Sequence, residues 1–260
     1  MPDPYAWPFD DILVVVPAQV AAYGYLLRRF PASRLRVASF ALANVLLLTA
    51  FATPVETIGL HYLLSVHLLQ NVIAAEWAPG LAVFGLAPAL AVAVERRVPL
   101  ARALTHPFVG LPIWLVTYAL WHVPAVYDYA LERPDSVLHV EHATYFFSGC
   151  LLWWPVVHGR ISSGAKAGYL FAAFLLASPI GLLLALLPRA VYDFYADGPG
   201  LWGLSPETDQ QIAGVTMAGE QAIVFFAVFA YWFLRFLREQ ERAADDDEVS
   251  AVPGRATPAP

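Results

Sequence analysis

Long apolar stretches separated by short charged or proline-bearing gaps run along almost the whole chain. A bilayer-spanning helix needs about 20 apolar residues. The stretches read as seven such helices, near Ile12 to Leu27, Leu35 to Thr53, Gly59 to Leu86, Phe108 to Tyr129, Val137 to Val157, Gly168 to Leu187 and Asp209 to Leu237. Pro17 predicts a kink in the first, Pro54 stops the second, and Pro79-Gly80 predicts a bend in the third. The segment Ala89 to Thr105 holds Glu95, Arg96, Arg97 and Arg102. It is too charged to span and is predicted as one helix lying on the cytoplasmic surface. The expected fold is all-α: seven transmembrane helices and one interfacial helix in a membrane domain over residues 1–242. Residues 243–260 are acidic, then rich in Pro and Ala, and are predicted to be a disordered tail.

Charge adds an orientation to this picture. Arg28, Arg29, Arg34 and Arg36 fill the first gap, Arg96, Arg97 and Arg102 the third, and Arg160 and Lys166 the fifth. Arg235, Arg238, Arg242 and Arg255 follow the last stretch, and the alternate gaps hold only Arg133 and Arg189. The positive-inside rule then places the N-terminus outside and the C-terminus inside. Composition agrees, with 59% hydrophobic and 14% charged residues, against about a quarter charged in soluble domains. With so few bases outside these rims, nucleic-acid binding is not expected. Cys150 is the only cysteine, which rules out an internal disulfide and a Cys-x-x-Cys metal or redox site. No Gly-x-Ser-x-Gly, His-Glu-x-x-His or Walker-type loop occurs, so no enzyme activity is expected.

Orientation assigns depth to the polar residues, each costly in hydrocarbon. His67 lies about 10 Å beyond His61, and Asn71 shares its face. His122 lies about 9 Å below the outer rim at Asp128, and Met217 about 12 Å below Asp209, with Glu220 one turn further. His139 and His142 share one face near the outer end of the fifth stretch. Imidazoles from several helices at similar depth suggest a metal site of His67, His122, His139 and His142 with Met217. Copper takes imidazole and, as Cu(I), thioether; zinc and haem stay open as alternatives. Asn71, Asp128, Glu141, Asp209 and Glu220 are the supporting residues. Each alone has a plainer reading. A lone histidine bonds a neighbouring helix, Met217 and Cys150 pack, and Glu141 is solvated. Glu76 and Glu220, carboxylates near mid-depth, would bond a neighbouring helix or relay protons.

The ordered motifs carry a resemblance. Ser65-Val-His67-Leu-Leu-Gln70-Asn71, Ala78-Pro79, Gly85-Leu-Ala-Pro88 and His106-Pro107 come first. Trp121-His122-Val-Pro124-Ala-Val-Tyr127-Asp128, His139-Val-Glu141-His142 and Ser148-Gly149-Cys-Leu-Leu-Trp153-Trp154-Pro155 come next, then Leu204-Ser-Pro206-Glu-Thr-Asp209-Gln210-Gln211-Ile-Ala-Gly214. Together they resemble the CtaG family of cytochrome c oxidase assembly factors, the group linked to caa-type oxidases. The resemblance implies a multi-pass protein of a prokaryotic plasma membrane that matures the oxidase, by binding copper and delivering it to the catalytic subunit. It implies that subunit, the bilayer and a soluble extracytoplasmic copper chaperone as partners. One departure stands out: the family commonly has a second histidine four residues after the first, and here that position is Asn71. A haem-bearing electron carrier using His67 and His122 is the alternative, and a proton-coupled transporter using Glu76 and Glu220 a third reading.

Overall fold

Prolines and the extended residues before them, more than charge, decide where the helices stop. The computed structural model describes residues 2–8 and 11–251, and all of its regular elements are helical. In chain order they are α1 (Ile12–Leu27), α2 (Arg34–Phe51), α3 (Pro54–His61), α4 (Leu64–Val72), a π-helical turn (Ile73–Trp77), α5 (Ala78–Gly85), α6 (Pro88–Arg97) and α7 (Pro99–Leu104). Then come α8 (Pro107–Trp121), α9 (Pro124–Leu131), a second π-helical turn (Pro134–Leu138), α10 (His139–Val157), α11 (Ser163–Leu186), α12 (Asp193–Ala196) and α13 (Pro206–Ala251). Proline occupies the first turn of α3, α6, α7, α8 and α9, where its missing N–H costs nothing. The residue before each proline is pushed to the extended region, which separates the short helices.

The expectation of seven spans with a defined orientation is overturned. Among the described residues, three helices are long and apolar enough to cross a membrane: Arg34–Phe51, Ser163–Leu186 and Pro206–Asp247. Two bent pairs raise the number to five if each counts as one span. These are Leu64–Gly85 with Pro88–Arg97, bent by 98°, and Pro107–Trp121 with Pro124–Leu131, bent by 74°. The 16 residues of α1 cover about 24 Å, short of a hydrocarbon core of about 30 Å. The 19-residue α10 opens with His139, Glu141 and His142 and closes on Trp153-Trp154-Pro155, which dilutes its apolar content. With fewer crossings, arginine-rich gaps no longer alternate between two faces, so the inferred sides of the termini lose their basis.

Three further expectations change with it. The segment predicted as one interfacial helix is two, α6 and α7, broken at Val98. It is tied to the bundle rather than lying free, because Trp154 Nε1 donates to Glu95 Oε1 at 2.8 Å. The stretch expected to run unbroken from Phe108 to Tyr129 turns at His122 and Val123. Helix α13 continues through the acidic run to Ala251, past the boundary placed at residue 242; residues 252–260 of the expected tail lie outside the described residues.

The bend predicted at Pro79-Gly80 is met by a different device. Pro79 cannot donate to Ala75, and its ring crowds that carbonyl. The backbone widens into the π turn Ile73–Trp77 instead, and indoles cap the freed carbonyls. Trp114 Nε1 donates to Ala75 O at 3.3 Å and Trp153 Nε1 to Glu76 O at 2.8 Å. Helix α10 lies directly on this turn through Gly149, where a Cβ would stand 2.2 Å from Ala75 O. The same device joins α11 to α13: a Cβ on Gly214 would meet Ala185 N at 2.3 Å and Gly181 O at 2.5 Å. At the opposite end of α5, Arg36 Nη1 donates to the carbonyls of Phe84 and Leu86, and anchors α2 there.

The start of α4 depends on a distant carboxylate. Asp209, buried at 3% exposure on α13, accepts from the backbone N–H of Leu64 at 2.6 Å and of Ser65 at 3.2 Å, and from Ser65 Oγ. These are orphan donors of a helix N-terminus. Asp209→Ala is expected to cost about 1–3 kcal/mol, read as a lower melting temperature in detergent. Asp209→Asn, which keeps an acceptor, should recover part of it.

Candidate metal centre

Three of the predicted ligands converge on one buried chamber. His67 projects from α4, His142 from the second turn of α10, and His122 from the residue that closes α8. The rings of His67 and His142 lie 6.0 Å apart, centroid to centroid, at 39°. The Tyr127 ring stands 5.4 Å from His67 and 6.3 Å from His122. Tyr145, Tyr192 and Tyr195 complete the wall: Tyr195 is 6.3 Å from His67, Tyr192 is 4.3 Å from Tyr127, and Tyr145 OH lies 3.4 Å from His122 Nδ1.

Hydrogen bonding in the chamber is incomplete. Neither ring nitrogen of His67 has a partner, nor do Nε2 of His122 and of His142. Tyr127 OH, Asn71 Oδ1 and Glu141 Oε2 are likewise unpaired. Buried polar groups are rarely left so, and seven such atoms lie in this one region. His122 is also oriented. Its Nδ1 lies 2.7 Å from the carbonyl of Tyr118, which the end of α8 leaves free. A carbonyl only accepts, so the proton is assigned to Nδ1, and the Nε2 lone pair is available.

The other expected residues fall elsewhere. His139 is at the surface, its Nδ1 3.8 Å from Asp11. Met217 is buried against Gly181 of α11 within the apolar core. Asp128 accepts from the N–H groups of Asp193 and Phe194, both at 3.3 Å, and so starts α12 rather than orienting a histidine. Glu220 accepts from Trp77 Nε1 at 2.7 Å, in a separate cluster with Glu76. Asn71 and Glu141 do support the chamber: Asn71 Nδ2 donates to Glu141 Oε1 at 3.1 Å, joining α4 to α10. Glu141, expected to be solvated, has no exposed surface. Half-buried His61, on α3 outside the crossing helices, is held below its ordinary pKa chiefly by burial. As arranged, no group of three or more His, Cys, Asp or Glu side chains among the described residues is set to hold a metal ion.

A cavity of about 370 Å³ leads to His142 from the side. Asp11 and His139 border it, Val15 and Phe51 line it, and His142 closes it.

Residues 20–239 match the family model for the cytochrome c oxidase caa3 assembly factor, Caa3_CtaG. The chain belongs to this family. No curated protein and no solved structure matches it. The match takes in every chamber residue and both Glu76 and Glu220, and begins after Asp11. This CtaG protein is therefore a membrane-embedded assembly factor of the plasma membrane, a non-catalytic chaperone with several membrane-crossing helices.

The tyrosines of the CtaG chamber were missed in the sequence, although their positions carried a signal. Tyr118 precedes His122 by four residues and Tyr145 follows His142 by three, so each shares a helical face with its histidine. Tyr127 lies in the same motif as His122. Tyr192 caps the start of the single-turn α12 and Tyr195 lies within it, a helix too short for any periodicity to point to them.

Proposed function

We propose that this CtaG protein holds one copper ion, as Cu(I), between His67 and His142 with His122 beside them. It then passes the ion to the catalytic subunit of a haem–copper oxidase. The observation that supports this is the set of four unpartnered ring nitrogens on buried His67 and His122 and half-buried His142. Copper is cargo here, so a site that binds firmly but stays short of full coordination suits release. A metal–imidazole bond of about 2 Å puts the ion about 3 Å from each ring centre. Two rings about 6 Å apart can then share one ion. Cu(I) accepts so few ligands, whereas zinc asks for four. The side cavity closed by His142 supplies a route, with Asp11 and His139 at its outer border.

The haem reading lacks comparable support. A porphyrin would have to stand between His67 and His122, where the Tyr127 ring is packed against both. Family membership supports an oxidase complex as the partner; a soluble copper chaperone as donor is part of the same proposal.

Protein purified in detergent under reducing conditions should take up about one Cu(I) per chain, read by metal analysis after desalting. Oxidase from cells lacking the protein should contain haem but be deficient in copper. No retained copper at micromolar Cu(I), or a fully metallated oxidase in those cells, would refute the proposal.

A further inference from the structure

A second polar cluster lies away from the histidines. Glu76 is carried by the π turn, about 13 Å along the axis from His67, and has no exposed surface. Glu220 of α13 reaches within hydrogen-bonding distance of it. One oxygen of each carboxyl is held. Gln221 Nε2 donates to Glu76 Oε1 at 2.8 Å, and Trp77 Nε1 donates to Glu220 Oε2 at 2.7 Å. The other two oxygens, Glu76 Oε2 and Glu220 Oε1, have no donor. Among the described residues no Lys or Arg pairs with either carboxyl. Glu76 borders a cavity of about 670 Å³ between α2, α5, α10 and α13, whose walls are otherwise mainly apolar and aromatic. Trp77 and Trp153 flank the acid end, and Gly80 admits the Trp153 indole, since a Cβ there would stand 2.9 Å from its Nε1. Arg36 is at the far end of the cavity, engaged on the carbonyls of Phe84 and Leu86.

We propose that this cavity binds a lipophilic primary ammonium, its head bridging Glu76 Oε2 and Glu220 Oε1 and its chain lying along the apolar walls. Two carboxyls in contact cannot both keep a charge without a bridging proton or cation, and an unpaired charge is costly in an apolar interior. An ammonium brings the opposite charge and three donors, enough for both open oxygens. The inference does not rest on copper, although Gln221, which holds Glu76, also donates to Tyr118 OH at 3.2 Å and so joins the two regions.

The test uses the full chain in phosphatidylcholine nanodiscs, with dodecylamine and dodecanol as probes and quenching of tryptophan fluorescence as the readout. The amine should bind about tenfold or more tighter than the alcohol. The E76Q/E220Q double variant should bring the two to equal affinity while the alcohol is unchanged. Ala227→Trp, which fills the cavity and leaves both acids in place, should weaken both probes. Equal affinities in the native chain, or an amine preference that persists in E76Q/E220Q or at full strength in A227W, would overturn the site. Adding phosphatidylethanolamine to the nanodiscs identifies the source of the ammonium: displacement of dodecylamine assigns it to a lipid headgroup, and no displacement to a single-chain amine.

Discussion

Replacing His67 and His142 together with alanine is expected to take bound Cu(I) from about one ion per chain to none. These are the two rings 6.0 Å apart, and three of their nitrogens have no partner in the fold. His122→Ala should weaken binding about tenfold rather than remove it, as loss of a neighbouring, oriented imidazole does. The informative contrasts are the expected ligands that lie elsewhere. His139→Ala should retain full stoichiometry and load more slowly, because His139 borders the access cavity and not the chamber. Met217→Ala should keep its copper and lose stability, because Met217 packs against Gly181. Copper titration with a competing Cu(I) chelator separates these results. Full binding by the His67/His142 variant, or loss confined to His139→Ala, would sink the assignment.

Gly149→Ala is expected to be the most destabilising single methyl addition among these positions. The new carbon would sit 2.2 Å from Ala75 O in the π turn and 2.5 Å from Pro79 Cγ at the start of α5. Relief requires α10 to move off the π turn by about 1 Å, at an overpacking cost of about 1–3 kcal/mol. The same movement draws His142, two turns back on α10, away from His67. Gly149→Ala should therefore lower both the melting temperature and the Cu(I) affinity, although it removes no ligand. Gly168→Ala, where a Cβ meets nothing within 4 Å, is the matched control and should be neutral. Equal stability of the two variants in a detergent melt would show that the close approach is not needed.

Several features were readable from residue order alone. The helical, membrane-embedded character comes from apolar density, and the proline stops at Pro54 and Pro88 from backbone chemistry. The convergence of His67 and His142 was within reach because both lie at similar depth on their helices, His67 with Asn71 on its face and His142 beside Glu141. Other features were not readable. Met217 and His139 were placed by distance along their helices, which says nothing of direction: Met217 packs against Gly181 and His139 stands beside Asp11. Asp128 and Asp209 look like histidine partners in one dimension, and in space they start α12 and α4. Glu76 lies inside the π turn Ile73–Trp77, where the regular 3.6-residue phase used to place side chains does not hold.

By itself the sequence determined that this is an all-helical membrane protein of the CtaG family, with imidazoles and carboxylates set within its apolar stretches. Those properties are sums over local residues, and neighbours in space do not alter them. Tertiary structure alone decided how many helices are long and straight enough to cross, which histidines meet, and which acids become helix caps. Those outcomes depend on bends at proline and on the rotation of each helix. Rotation is set by glycine contacts and indole caps between segments far apart in the chain, which no hydropathy pattern records.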